Sequence, residues 1–106
     1  MTRLLIVLSL CIFVKDAYSR DDSERNNVAS KIKKEVMKAV KRSPDTEYGY
    51  CDLMIEMRHD DNYAYIKSAS YTGDKRVCKV SKKALKVGKK YRYKEPEKYI
   101  RLHISH

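Results

Sequence analysis

Residues 51–80 read CDLMIEMRHDDNYAYIKSASYTGDKRVCKV, and this stretch decides the fold. From Cys51, the residues Cys51, Leu53, Ile55 and Met57 alternate with Asp52, Met54, Glu56 and Arg58. A period of two marks a half-buried strand. His59, Asp60, Asp61 and Asn62 make a polar turn cluster. It lacks Gly, so the turn is longer than two residues. Tyr63 to Ser70 resumes as a second strand, completing a hairpin. Thr72, Gly73 and Asp74 stop that strand, and Asp74 offers an N-cap for a helix running to about Lys90. Val77, Cys78, Val80, Ser81, Ala84, Leu85, Val87 and Gly88 fall on one half of its wheel. Lys75, Arg76, Lys79, Lys82, Lys83, Lys86, Lys89 and Lys90 fall on the other.

Upstream, the pattern is helical. Val28, Ala29, Ile32, Val36, Ala39 and Val40 lie within an arc of about 120°. The lysines between them lie outside it. Asn26 or Asn27 caps the start. Lys41 and Arg42 suit the negative end of the helix dipole, and Ser43 with Pro44 ends the helix. Downstream, Tyr91 to Pro96 reads as a basic, Tyr-containing connection. Tyr99 to Ser105 alternates again, with Ile100, Leu102 and Ile104 opposite Tyr99, Arg101 and His103. The predicted fold is α+β, in the order helix–strand–strand–helix–strand. Its simplest form is a three-stranded antiparallel sheet with both helices on one face.

The ends and the charge set the context. The chain has 106 residues, three Cys, 24 Lys and Arg against 14 Asp and Glu, and a net charge of +10. This is one small domain, which excludes a multidomain enzyme or a polytopic membrane protein. Arg3, an uncharged run from Leu4 to Val14, and small Ala17 and Ser19 form the pattern of a cleavable signal over 1–19. The run is too short to span a bilayer. Residues 20–27 are polar and predict a flexible leader, followed by a domain over 28–106. Export removes Cys11 and leaves Cys51 and Cys78 in an oxidising compartment, which predicts one disulfide. Cys51 is on the apolar face of its strand and Cys78 at the margin of the helix's apolar half. The bridge closes about 28 residues and stabilises by roughly 3.5 kcal/mol through chain entropy.

Catalytic sets are sparse. His59 sits in a turn, and His103 and His106 lie near the end, with no pattern that ties them to one pocket. There is no metal-ligand spacing, no glycine-rich phosphate loop and no nucleophile elbow. The reading is a non-enzymatic protein without cofactor or metal. The lysine face of the second helix, Lys75, Lys79, Lys82, Lys83, Lys86, Lys89 and Lys90, is read first as a solvated outer face. An anionic protein or envelope surface is its functional alternative, and nucleic acid is not expected.

Ile32 and Lys33, the run Cys51–Met57, Ile66 and Lys67, Thr72-Gly73-Asp74, Val77 and Cys78, and Ala84 and Leu85 resemble the C-terminal domain of TolA, the cell-envelope integrity protein of Gram-negative bacteria. Lys89, Lys90, Tyr91 and Pro96 stand where that family has a lysine-rich helix end and a Pro-containing link. The resemblance covers about residues 27–106 and rests on the two Cys with the Gly-Asp pair. It implies a TolA/TonB C-terminal-like fold with Cys51 and Cys78 bridged. It also implies a periplasmic, monomeric protein-binding module with Tol–Pal-like, bacteriocin or phage coat partners. TolA carries a membrane anchor and a long helical stalk before this domain. The signal and short leader expected here point instead to a soluble accessory, a decoy or a toxin-protection protein. The alternative is a secreted cationic effector acting on anionic membranes or nucleic acid. For a binding module, the predicted site is the last strand as an exposed edge, with Tyr99, Arg101 and His103 facing outward to select a partner.

Overall fold

The computed structural model describes residues 21–105. The predicted signal segment, Cys11 and His106 lie outside them. A 3-10 turn, Asp22–Glu24, leads into helix α1, Asn27–Arg42. Asn26 caps α1, its side chain accepting the N–H groups of Val28 and Ala29 at 2.9 and 3.0 Å. After α1, the buried Thr46 hydroxyl sits 2.8 Å from the Val40 carbonyl and 3.0 Å from that of Ser43. It can donate its one proton to either, and the Val40 carbonyl also accepts the Ser43 N–H at 3.1 Å, so the end of α1 is tied to the turn that follows.

Strands β1, Tyr50–His59, and β2, Tyr63–Gly73, form the hairpin. Their register shifts between Glu56 and Met57, a bulge that increases local twist. β2 ends where Gly73 takes φ +142°, and an added Cβ there would stand 2.4 Å from the Tyr50 carbonyl oxygen. Only glycine fits that approach. Asp74 then caps helix α2, Lys75–Ala84, accepting the N–H groups of Arg76 and Val77. Strands β3, Lys90–Arg92, and β4, Tyr99–Ser105, complete the chain.

The protein is α+β, with one antiparallel sheet of four strands in the order β3-β2-β1-β4. The sequence predicts three strands, and the difference is β3. Only Tyr91 points inward from β3, while Lys90 and Arg92 are exposed. A single inward residue carries no readable period. The predicted helix to Lys90 is corrected as well, since α2 ends at Ala84. Val87 and Gly88 extend the apolar wheel, yet Val87 is exposed and Gly88 has φ +87°. There the chain docks on β2 instead, with Gly88 N–H donating to the Ile66 carbonyl at 2.8 Å. Sheet pairing overrides a helical pattern that glycine already weakens.

The inward residues of the sheet lie on one face: Cys51, Leu53, Ile55 and Met57 of β1, Ala64 and Ile66 of β2, and Ile100, Leu102 and Ile104 of β4. Val28, Ala29, Ile32, Val36 and Val40 of α1 and Val77 of α2 close over them in the same core. The other face carries Asp52, Arg58, Ser68, Ser70, Thr72, Tyr99, Arg101 and His103 in solvent. An antiparallel sheet tolerates this one-sided wetting. Cys51 and Cys78 are bridged, with S–S 2.06 Å and Cα atoms 5.1 Å apart. The bond fixes α2 to the core face of β1.

Candidate binding surfaces

The last strand is an edge, but its outward donors are in use. Arg101 N–H donates to Asp22 Oδ2 at 2.8 Å, and His103 N–H donates to Asp21 Oδ2 at 3.0 Å. Both acceptors belong to the stretch whose composition predicts a flexible leader. In the structure, Asp22 is only 8% exposed. Asp21 also accepts from Lys33 Nζ at 2.6 Å and from the Ser23 N–H at 2.8 Å. Burial alone would raise the Asp21 carboxyl, but these hydrogen bonds and that of the His103 amide hold it down at about 2. The segment over 21–26 thus occupies the face of β4 where a partner strand would lie.

A second edge follows from strand parity. Arg101 and His103 point away from β1, so Leu102 and its opposite residue Leu53 bond to each other. Asp52 and Met54 then turn toward β2, where they meet Thr72 and Ser70. Ala69 and Tyr71 are left with their N–H and C=O groups directed out of the sheet. β3 covers only Tyr63, Ala64 and Tyr65, and Lys89 and Gly88 reach Ile66. Among the described residues, nothing pairs with Ala69 or Tyr71 on that side. Sequence reading missed this edge, because β3 covers only the start of β2 and which of the remaining residues turn their backbone groups outward depends on the register.

The outward side chains of β4 join the solvated face of the sheet. His103 Nδ1 lies 2.6 Å from Asp52 Oδ1, its directly opposite residue in the register. The Tyr50 ring stacks on the imidazole at 5.4 Å. With Met54, Ser70, Thr72 and Arg101, this pair lines a shallow open depression. His59 is separate, edge-on to Tyr93 at 4.9 Å. The His103 and Asp52 side chains are both about half exposed, and water reaches them freely. Among the described residues, no three His, Cys, Asp or Glu side chains converge into a metal-binding group.

The predicted lysine face divides in the structure. Lys75, Lys79, Lys82 and Lys83 are exposed on α2. Lys86, Lys89 and Lys90 lie beyond its end. Lys89 meets Glu35 of α1, and the ammonium group of Lys90 stands 5.0 Å over the Tyr63 ring. The cationic surface instead continues sideways. α1 packs beside α2, and it presents Lys31, Lys34, Lys38, Lys41 and Arg42 to solvent. Comparison with protein-family models, curated proteins and solved structures finds no match.

Proposed function

We propose that this protein is a non-enzymatic binding module that takes up an extended segment of a protein partner by strand addition at the outer edge of β2. The observation that carries the reading is the unpaired backbone at Ala69 and Tyr71. An open row of N–H and C=O groups is a template for one more antiparallel strand. The exposed side chains of Ser68, Ser70 and Thr72 flank that row on the solvated face. They offer hydroxyl groups rather than the charges that commonly block an edge. The candidate site proposed from sequence, Tyr99, Arg101 and His103, is less available, because Asp21 and Asp22 already hold its outward donors. The order of elements and the Cys51–Cys78 bridge support a role like that of the TolA C-terminal domain, with an exported envelope protein as partner.

Ala69→Pro tests the reading. Proline removes one outward donor and is tolerated on an edge strand. Bait protein would be incubated with an envelope extract under oxidising conditions. Captured partners should be lost with Ala69→Pro and retained by the wild type. With a captured partner bound, amide exchange should slow at Ala69 and Tyr71. If exchange slows instead at Tyr99, Arg101 and His103, the partner uses β4 and the β2 assignment is wrong.

A further inference from the structure

The two helices carry eleven Lys and Arg residues and a single acidic one, Glu35. Glu35 is already engaged by Lys89 and Tyr91. Of the eleven cations, only Lys33 forms an ion pair among the described residues, with Asp21. The remaining ten are exposed and lie along the outer surfaces of two adjacent helices. The acidic residues are elsewhere, in the turns, in the segment before α1 and on the strands. Off the helices, the described residues hold ten Lys and Arg against twelve Asp and Glu, so the net positive charge is concentrated on the helical layer.

A surface that needed only solvation would mix its signs. Here Lys31, Lys34, Lys38 and Lys41 follow one another at three- or four-residue steps along α1, and Lys75, Lys79 and Lys83 do so along α2. Like charges at that spacing repel and destabilise a helix. That repulsion is relieved when an anionic surface lies against the layer. We infer that the α1–α2 face docks on a lipid bilayer rich in anionic headgroups, an interaction separate from the β2 edge and not dependent on it.

The partner is chosen by three features. Nine of the eleven cations are Lys, whose point charges adapt to mobile headgroups, whereas Arg forks suit fixed phosphates. Two helices side by side give a broad patch about 24 Å long rather than a groove. The aromatic residues that would stack on single-stranded nucleic acid, Tyr63, Tyr65, Tyr91, Tyr93 and Tyr99, all belong to the sheet and its connections. Val87, 70% exposed in the turn after α2 between Lys86 and Lys89, offers one apolar contact at the rim. Polybasic surfaces of this kind bind anionic leaflets and are released by salt.

The test is co-sedimentation of the disulfide-bonded protein with vesicles of phosphatidylglycerol and phosphatidylcholine, against vesicles of phosphatidylcholine alone. Binding is expected only to the anionic vesicles, and it should fall steeply as salt rises. The combined variant Lys34→Glu, Lys38→Glu and Lys79→Glu should bind at least about tenfold more weakly. The same three positions changed to Gln should show a smaller loss in the same direction, which guards against a folding defect. A charge-matched control, Lys67→Glu, Lys94→Glu and Lys98→Glu, should bind nearly as well as the wild type. Equal losses in the helix and control variants would overturn the inference, since net charge alone would then govern binding. No binding to anionic vesicles would also overturn it, as would tighter binding to a duplex or single-stranded oligonucleotide than to the vesicles.

Discussion

Asp22 Oδ2 accepts the backbone N–H of Arg101 across 79 positions of sequence, at 2.8 Å. The bond makes the segment before α1 part of the sheet's edge. Asp22 is buried, and its other oxygen takes the Arg25 guanidinium at 2.6 Å. Asp22→Ala would leave the Arg101 donor without its partner, at a cost of about 1–2 kcal/mol. Urea unfolding should show that loss, and the Arg101 amide should exchange faster. Asp22→Asn keeps an acceptor and should cost less. An Asp22→Ala protein as stable as the wild type would show that the edge is held by other contacts.

Asp21 adds a pH dependence. Its carboxyl is held down at about 2 in the folded protein, against about 3.9 in an unfolded chain. A depressed folded value means that the unfolded state binds the proton more readily. The contribution to stability is therefore complete above about pH 4 and is lost as the pH falls through about 2. Thermal unfolding followed from neutral pH to pH 2 should show this decline, and it should be shallower in Asp21→Asn. The side chain is about one-fifth exposed, so added salt should weaken the Lys33 pair only partly.

These two aspartates also show where sequence reading stops. The caps at Asn26 and Asp74, the alternation of β1 and β4 and the Cys51–Cys78 bridge all follow from local patterns, because each is set by neighbours in the chain or by cysteine parity. The bonds from Asp21 and Asp22 to β4 are not legible. A polar stretch with no apolar residues reads as solvent-exposed, and only the folded sheet supplies backbone donors for its carboxylates. β3 escapes for a related reason: three residues with one inward side chain contain no period. The Ala69–Tyr71 edge follows from the register of three other strands, which no single segment encodes. The lysines of α2 were legible as a face. Their continuation across α1 required knowing that the helices pack side by side.

The disulfide should be a major source of stability. Cys51 is fully buried in the core and Cys78 is partly buried against it. Their bond closes a span of 27 positions that contains all of the hairpin except Tyr50. Cys51→Ala with Cys78→Ala should lower unfolding free energy by about 2–5 kcal/mol. Reduction of the wild type should shift the thermal midpoint in the same direction, and thiol titration of the unreduced domain over 20–106 should find none free. A reduced protein that melts at the oxidised temperature would contradict the assignment of a structural bridge.

Tyr91 ties the missed strand to the first helix. Its ring is buried in the core, and its hydroxyl donates to Glu35 Oε1 at 2.7 Å. Lys89 engages the other oxygen of the same carboxylate. One residue from β3 and one from the turn before it thus converge on α1, and this anchors three residues too short to hold as a strand alone. Tyr91→Phe keeps the ring and removes the bond. Glu35 is partly exposed, so water replaces some of what is lost, and the cost should be about 1 kcal/mol. Burial pushes the Tyr91 phenol up, and the Glu35 hydrogen bond and charge push it further. A raised folded value means stability that is present below about pH 10 and lost as the pH climbs above it. Spectrophotometric titration should therefore show one tyrosine ionising well after the others. In Glu35→Gln that tyrosine should ionise earlier, yet still late, because burial remains. If Glu35→Gln leaves its titration unchanged, burial alone governs the phenol and the carboxylate does not anchor β3.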